Sequence, residues 1–301
     1  MSIRNKRSWW STRLAQTGPL LILVLLTFSS RAAQPGKKPN LPVGEPVVYK
    51  KVAGRELQLY VIQPADWKAT DQRPAIVFFH GGGWVAGGPS AFNTQGQYLA
   101  TRGMVCALVE YRLLRDPKEP PLVCIQDAKS AMRWVRGHAR ELGIDPKRIA
   151  ASGGSAGGHL SAFVGLVMGL DDPQDDLTIS PQANALVLFN PVFDNGPENG
   201  WGTERVGARY KEFSPAHNIT PEAPPTIVLI GSQDKLIPLS VVDRFKTNMT
   251  KAGARCETRI YEGQGHGFFN GDPWLTKTLI EADKFLTSLG WLQGPPTLKE
   301  P

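Results

Sequence analysis

Short apolar runs alternate with longer segments of mixed polarity along most of the chain. Residues 75–79 and 227–230 are continuously apolar, which is typical of parallel strands buried on both faces. The alternation predicts an α/β fold with a mainly parallel, twisted sheet, helices on both faces and an antiparallel hairpin at its start. The predicted strands are 47–52, 56–63, 75–79, 104–110, 148–152, 184–189, 226–230 and 257–261, and the predicted helices are 90–102, 121–142, 156–168, 238–252 and 274–289.

A serine lies between small residues where a predicted strand passes into a predicted helix. Residues 153–157 read Gly-Gly-Ser-Ala-Gly, with Ser155 at the centre. A sharp strand-to-helix turn needs small flanking residues, because larger side chains would collide with the adjoining strand or helix. The pattern indicates a nucleophile elbow and makes Ser155 the candidate nucleophile. A glycine-rich helix start is the alternative interpretation.

A second glycine-rich loop follows the apolar run of residues 75–79 and contains Gly81, Gly82 and Gly83. Backbone N–H groups of such a loop can converge on a developing negative oxygen, and each donor lowers the barrier by roughly 3 kcal/mol. We expect these glycines and the N–H of Ala156 to form an oxyanion hole. A phosphate-binding loop is the alternative, but the lysine of a P-loop is missing and the spacing differs from a dinucleotide fingerprint.

A carboxylate and an imidazole follow two later strands, in the chain order serine, acid, base. Asp234 comes after the strand at 226–230, and His266 lies between two glycines after the strand at 257–261. Imidazole suits a general base because its ordinary pKa is near 6.5. We expect Asp234 to orient His266, although a helix cap is the structural alternative for the aspartate and a structural role is common for a lone histidine. The rival acids are Asp194, Asp243 and Glu262.

These motifs resemble those of the α/β-hydrolase superfamily. More narrowly, they resemble bacterial acetyl esterases of the hormone-sensitive-lipase-like and the acetyl-xylan or feruloyl esterase-like groups, over about residues 46–292. The resemblance implies the α/β-hydrolase fold and a serine ester hydrolase. Two departures concern the hormone-sensitive-lipase-like group, which commonly has Asp or Glu where this chain has Gly154 and carries a helical N-terminal cap for which there is little sequence here. They favour compact, polysaccharide-associated esterases.

The N-terminal segment has the pattern of a signal peptide. Basic residues precede an apolar core at residues 20–28, and small residues around Ala32 suit cleavage. The core is shorter than the ~20 residues of a membrane-spanning helix, so export to the periplasm or the medium is expected, with an uncleaved anchor as the alternative and no stable membrane insertion after cleavage. We expect a signal peptide at 1–32, a flexible segment at 33–45, one catalytic domain at 46–292 and a tail at 293–301. Cleavage would lower the formal net charge from +7 to +2, so charge gives no support for nucleic-acid binding.

The sequence predicts no metal and no cofactor. Cys106, Cys124 and Cys256 are the only cysteines, and their spacing suggests no zinc site. Cys106 falls in a buried strand pattern and is expected to be an inert core thiol. A disulfide between any two of the three cannot be argued from sequence, and the oligomeric state is not predicted.

Substrate contacts are expected from loops at the carboxyl ends of the strands, of which residues 192–225 form the longest. This loop is expected to be polar and open in character, and it lacks the long apolar helix of a lipase lid. Trp201, with Trp84, Phe268 and Phe269, is a candidate aromatic floor for an acyl group or a sugar face, and core packing is the alternative. Arg205 and Arg209 are candidate partners of a uronate carboxylate, with solvated surface charge as the alternative.

The leading hypothesis is a secreted serine carboxylesterase that removes short acyl groups, with acetyl as the expected group, from a plant polysaccharide such as xylan. An esterase acting on small-molecule esters and a serine peptidase of the prolyl oligopeptidase type are alternative enzymes. An inactive hydrolase fold that serves as a binding module is a remote alternative, because the triad residues and the oxyanion glycines are all present.

Overall fold

The structure, a computed structural model, describes residues 41–301. The predicted signal peptide with its cleavage site at Ala32 lies outside the described residues, as do residues 33–40 of the predicted flexible segment. Within residues 41–301, no helix is long and apolar enough to cross a membrane.

Residues 41–301 form one eight-stranded sheet with the order β1-β2-β4-β3-β5-β6-β7-β8. The strands are β1 (Glu45–Val52), β2 (Arg55–Ile62), β3 (Arg73–Phe79), β4 (Val105–Val109), β5 (Ile144–Gly154), β6 (Ala185–Phe189), β7 (Thr226–Gly231) and β8 (Cys256–Tyr261). The first two form an antiparallel hairpin, β2 pairs antiparallel with β4, and every later pair is parallel. The predicted α/β architecture is confirmed.

Helices cover both faces of this sheet. They are α1 (Asn93–Thr101), α2 (Leu122–Gly137), α3 (Ala156–Leu166), the one-turn helices α4 (Thr203–Val206) and α5 (Tyr210–Phe213), α6 (Leu239–Lys251) and α7 (Trp274–Ser288). Successive strand residues point to opposite faces, so Val77 and Phe79 join a core with α2, α3 and α6, whereas Ile76 and Phe78 join a core with α1 and α7. The six strands from β3 to β8 run parallel to one another, so their carboxyl ends lie at the same edge of the sheet.

Two predicted boundaries differ from the structure by four residues or more. The predicted helix at 121–142 ends at Gly137, and β5 begins at Ile144 rather than at residue 148. Ile144 is buried and pairs with Arg73 of β3, but the polar residues that follow it interrupt the apolar pattern on which the prediction relied. β5 therefore begins earlier than predicted, because pairing with β3 extends the strand where the local sequence gives no strand signal.

The long segment at 192–225 is more firmly packed than its polar composition suggests. Phe193 and Phe213 are fully buried, and the ring of Phe193 stacks on that of Phe245 in α6 at a centroid distance of 4.2 Å. The predicted open character is therefore wrong for this part of the chain, because a few widely spaced aromatic residues anchor it to the core.

The C-terminal tail also lies against the domain. Leu298 packs on the core that contains α1 and α7, and the backbone N–H of Thr297 donates to the Tyr98 hydroxyl over 3.2 Å. Arg102 donates to the carbonyl of Gly294 over 3.0 Å. These contacts attach residues 294–298 to α1.

Asp127 of α2 is the centre of a buried charge network between the hairpin and α2. Its carboxylate accepts bonds from the backbone N–H and guanidinium of Arg112 over 2.7–2.9 Å, and Lys50 Nζ lies 2.9 Å away. We expect Asp127→Ala to lower the free energy of unfolding by about 3 kcal/mol, because removing one partner leaves buried cations uncompensated. Urea denaturation tests this, and a loss below about 1 kcal/mol at unchanged m-value would show that Asp127 is not important for stability.

Candidate active site

Ser155 lies on a strained turn between the end of β5 and the start of α3. Its backbone adopts φ 54° and ψ −119°, a region that non-glycine residues seldom occupy. The N–H of Ser155 donates to the carbonyl of Phe189 over 3.0 Å, which ties the turn to β6. A side chain at Gly157 would overlap the backbone of Phe79 and His80. The neighbouring strands thus fix the turn and leave the Ser155 hydroxyl half-buried at the sheet edge.

His266 bridges the hydroxyl of Ser155 and the carboxylate of Asp234. Its Nε2 lies 2.8 Å from Ser155 Oγ, and its Nδ1 lies 2.8 Å from Asp234 Oδ2. Since the carboxylate only accepts, Nδ1 carries the proton of a neutral ring, and Nε2 is free to accept the proton of Ser155. The arrangement can pass a proton from a nucleophilic serine to a base that a buried carboxylate orients.

Asp234 is held by its own loop as well as by His266. Its side chain is fully buried, and Oδ1 accepts the backbone N–H groups of Leu236 and Ile237 over 2.9 and 3.0 Å. The N–H of Gln233 donates to the carbonyl of Gln264 over 2.9 Å. The loops after β7 and β8 are therefore tied together beside the two side chains.

The rival acids lie elsewhere. Asp194 is buried, but it pairs with Arg244 at 2.7 Å and with His217 at 3.2 Å. Asp243 is an exposed residue of α6, and Glu262 is exposed in the turn after β8. Of the four carboxylates considered, the structure brings only Asp234 to His266.

The loop after β3 places the three predicted glycines beside Ser155. Gly82 and Gly83 have φ values of 115° and 61°, which side chains disfavour. A Cβ on Gly81 would lie 2.9 Å from the carbonyl oxygen of Gly154 and 3.5 Å from Cβ of Ser155. Ala156 is the first residue of α3, where backbone N–H groups have no partner within the helix. The four predicted donors thus flank the nucleophile from two sides.

Two buried histidines near the site are structural and neutral. Burial lowers the pKa of His80 to about 4 and that of His159 to about 4. His80 Nδ1 donates to the carbonyl of Gly81 over 2.8 Å, and its ring stacks on Tyr111 at 4.2 Å. His159 Nε2 donates to the carbonyl of Phe213 over 2.8 Å. His80 therefore supports the glycine loop, while His159 anchors the segment after β6.

A cavity of about 400 Å³ opens at Ser155, which is the size of a small-ligand site. Its surface is mostly apolar, apart from a few polar groups around the serine. The lining residues are Gly81, Gly82, Gly83, Ala91, Phe92, Gly154, Ser155, Asn190, Trp201, Leu236, His266, Gly267, Phe269 and Asn270.

The aromatic residues predicted for substrate binding divide into two groups. Trp201 and Phe269 line the cavity, whereas Trp84 and Phe268 do not. Trp84 is fully buried behind the glycine loop, with its ring 5.1 Å from that of His159. Phe268 packs on Tyr261 at 5.0 Å. The alternative of core packing therefore describes Trp84, whereas Phe268 is half-buried and packs against the edge of the core outside the cavity.

Several cavity residues were not predicted from sequence. Phe92 belongs to a short 3-10 turn before α1, and Leu236 follows Asp234 in its loop. Asn190 follows β6 directly, and its Oδ1 accepts the N–H of Gly267 over 3.1 Å. Its place at the carboxyl end of a parallel strand is a signal that points to the site. No comparable signal marks Phe92.

Arg205 is held between two tryptophans rather than in solvent. Its guanidinium carbon lies 5.2 Å from the Trp84 ring centroid and 5.0 Å from that of Trp201, and Nη1 donates to the carbonyl of Gly83 over 2.9 Å. Arg209 is exposed and pairs with Glu212 at 2.7 Å. Neither arginine lines the cavity, and Arg205 instead joins the glycine loop to the cavity wall at Trp201.

We expect Arg205→Met to lower kcat for an ester substrate by up to about 100-fold. A methionine cannot donate to Gly83, and a shift of about 1 Å in a catalytic group costs a rate factor of this size. Steady-state kinetics of Arg205→Met beside Arg209→Met tests this. Equal activities of the two variants would show that Arg205 does not position the loop.

The three thiols are free, and burial raises the pKa of each. That of Cys256 is raised to about 12, so the thiols are not nucleophiles near neutral pH. Across residues 41–301, no group of three or more His, Cys, Asp or Glu side chains is arranged to hold a metal ion.

Two family models match the chain. The BD-FAE model matches residues 59–199, and the dienelactone hydrolase family model matches residues 182–294. Together they span the glycine loop, the elbow and the loops that carry Asp234 and His266.

Curated relatives are esterases. Esterase LipC of Mycobacterium tuberculosis is 30% identical over 78% of this chain and 64% of its own length. The probable carboxylic ester hydrolase LipM of the same organism is 31% identical over 64% of this chain and 48% of its own length. The chain thus spans about half to two thirds of the length of these relatives.

Solved structures of esterase 2 from Thermogutta terrifontis are similar over almost their whole length. The form phosphonylated by cyclosarin is 48% identical to this chain. The match covers 83% of this chain and 96% of the esterase 2 chain, with a TM-score of 0.78. The propionate-bound form is 46% identical with the same coverage and a TM-score of 0.79. The chain therefore belongs to the esterases of the α/β-hydrolase superfamily.

Proposed function

We propose that this esterase hydrolyses short-chain carboxylic esters through an acyl-enzyme on Ser155, with His266 as general base and acid and Asp234 as the orienting carboxylate. The observation that carries the proposal is the position of the His266 ring. Its Nε2 lies 2.8 Å from Ser155 Oγ, and its Nδ1 lies 2.8 Å from Asp234 Oδ2. Both distances are within hydrogen-bond reach, as a nucleophile and its base require.

In the first half-reaction, Ser155 Oγ attacks the ester carbonyl carbon while its proton moves to His266 Nε2. The carbonyl oxygen becomes an oxyanion, which the N–H groups of Ala156 and of the loop at Gly82 and Gly83 stabilise by roughly 3 kcal/mol for each donor. The bond to the alkoxy oxygen then breaks. His266 returns the proton to the leaving alcohol, and the acyl group stays on Ser155.

In the second half-reaction, water repeats the same steps. His266 accepts a proton from water as its oxygen attacks the acyl carbon, and the second oxyanion occupies the same hole. Collapse breaks the bond to Ser155 Oγ, which recovers its proton from His266, and the carboxylic acid leaves. The fully buried carboxylate of Asp234 stabilises the imidazolium in both halves.

The cavity of about 400 Å³ at Ser155 has room for a short acyl group together with the reacting ester group. The similar Thermogutta terrifontis esterase 2 was solved with propionate and with butyrate bound. We propose short-chain esters as substrates of the present protein, with acetyl groups on a plant polysaccharide such as xylan as the natural substrate and small-molecule esters as the alternative.

Acetate release from acetylated xylan tests the polysaccharide substrate. We expect release by the wild-type protein and none by Ser155→Ala, with hydrolysis of p-nitrophenyl acetate as the control for an intact site. Activity on the small ester without acetate release from xylan would contradict the polysaccharide substrate and leave the serine mechanism in place.

We also propose that the protein is exported after cleavage near Ala32. The support is the order of a basic start, an apolar core and small residues within positions 1–32. N-terminal sequencing of the protein expressed from its full gene tests this. A first residue close to position 33 is the expected result, and a mature protein that retains residues 1–32 would contradict export by cleavage.

Covalent inhibition by organophosphates follows from the proposed nucleophile. Forms of the similar Thermogutta terrifontis esterase 2 are phosphonylated by cyclosarin and phosphorylated by paraoxon. We propose that Ser155 of this protein attacks the phosphorus of paraoxon, so that p-nitrophenolate leaves and a diethylphosphoryl ester of the serine forms.

A further inference from the structure

The ring of Phe269 lies directly on Gly154, the residue before the nucleophile. A Cβ on Gly154 would overlap Cζ of Phe269 and lie 3.1 and 3.4 Å from Cε1 and Cε2 of the same ring. The three heavy atoms nearest to a Cβ at position 154 therefore all belong to Phe269. At Gly81 and Gly157, by contrast, the nearest atoms are backbone. The obstacle at Gly154 is a single side chain that a substitution can remove.

Phe269 is also a wall of the cavity that contains Ser155. The residue is 4% exposed, and its ring centroid lies 4.8 Å from that of Phe189 and 6.1 Å from that of Phe92. Both Gly154 and Phe92 line the same cavity. Phe269 and Phe92 therefore form an apolar wall of the cavity, and Phe189 packs against both rings without lining the cavity.

The contact explains why this chain has glycine where an acidic residue precedes the serine in the hormone-sensitive-lipase-like group. A carboxylate at position 154 would project into the volume that the Phe269 ring fills. The two residues are therefore coupled, because the ring can occupy this place only if position 154 has no side chain.

We propose that Phe269, packed on Gly154, is the specificity-determining residue. Its ring limits how long an acyl or alkyl group of the ester the cavity at Ser155 can accept. This inference rests on the proposed function. A shorter side chain at position 269 opens the cavity toward Phe189, which packs behind the Phe269 ring, and the new space is apolar. The protein then accepts longer alkyl chains than the wild type does.

Chain-length profiles of Phe269→Leu test this proposal. The substrates are p-nitrophenyl esters from acetate to octanoate and alkyl acetates from ethyl to hexyl, which separate the acyl and alcohol chains. We expect the kcat/KM ratio of the long to the short ester to rise at least about tenfold in one series, since each methylene in an apolar pocket changes kcat/KM by a factor of roughly 10 to 200. Phe268→Leu is the matched control, because Phe268 does not line the cavity, and its profile should equal that of the wild type.

A double-mutant cycle tests the coupling separately. Gly154→Ala alone should lower kcat by about 100-fold, because it displaces the ring or the adjacent nucleophile. Most of this loss should be recovered in Gly154→Ala combined with Phe269→Ala, or with Phe269→Leu if the alanine variant does not fold.

The outcomes separate this inference from the proposed function. Unchanged ratios in both ester series with an active wild-type protein would overturn the role of Phe269 alone, as would equal effects of Gly154→Ala in both backgrounds. A wild-type protein inactive on every ester would overturn the proposed function and the inference together.

Discussion

Replacing Ser155 with alanine is expected to lower kcat for p-nitrophenyl acetate by about 10⁶-fold, the size of loss that removal of a serine nucleophile causes. Alanine at this position cannot form the acyl-enzyme, and water would have to attack the ester directly. The backbone bond between the N–H of Ser155 and the carbonyl of Phe189 remains, so the elbow and the fold should be kept. Hydrolysis kinetics and a thermal unfolding curve of the variant measure both effects.

Ser161 provides a matched control for this substitution. It lies in α3, is fully buried, and donates to the carbonyl of Gly157 over 2.8 Å. Ser161→Ala removes a hydroxyl close to the elbow without removing the nucleophile, and we expect kcat to fall by less than about tenfold, since a neutral hydrogen bond contributes about 1 kcal/mol. A Ser155→Ala variant with the same activity as Ser161→Ala would refute the assignment of the nucleophile.

Replacing Asp234 with asparagine is expected to lower kcat by about 10⁴-fold. An asparagine keeps an oxygen for the N–H groups of Leu236 and Ile237, which donate to Oδ1. It then presents its NH₂ group to His266 Nδ1, which favours the tautomer protonated at Nε2. That tautomer cannot accept the proton of Ser155, so the rate falls although the geometry is preserved. Steady-state kinetics over a range of pH measures the loss.

The second buried aspartate–histidine pair of the described chain serves as the control. Asp194 lies 3.2 Å from His217 and is as buried as Asp234, so Asp194→Asn makes the same chemical change away from Ser155. We expect it to reduce the free energy of unfolding, because it weakens the ion pair with Arg244, and to change kcat far less than Asp234→Asn does. Similar losses of kcat in the two variants would contradict the assignment of Asp234.

Much of the fold could be predicted because a parallel sheet buried on both faces leaves a strong local pattern. The apolar runs of β3 and β7 are examples, and their predicted bounds differ from the observed ones by no more than two residues. The start of β5 was missed, since Ile144 is joined to the sheet through its pairing with Arg73, and the polar residues after it hide the strand. The packing of Phe193 and Phe213 could not be predicted, because it depends on helices that are distant in sequence. Phe193 packs on Phe245 of α6, and the backbone of Phe213 is bonded to His159 of α3.

The candidate site was predictable where its residues follow strands. Ser155, Asp234 and His266 were selected from motifs at strand ends, and the structure brings their side chains into contact, while their catalytic roles stay predictions. The cavity wall could not be derived in this way. Whether a tryptophan or phenylalanine faces the cavity depends on how its loop turns, so Trp201 lines the cavity whereas Trp84 and Phe268 do not. Phe92 contributes through the stacking of distant rings and has no local signal.

Titration with paraoxon, followed by mass spectrometry of the peptides, tests the central claim most directly. The account predicts that activity on p-nitrophenyl acetate falls in proportion to the bound diethylphosphoryl group, reaches zero at one group per chain, and that the group is on Ser155. A modified residue other than Ser155, or an enzyme that still hydrolyses the ester after Ser155 is fully modified, would contradict it.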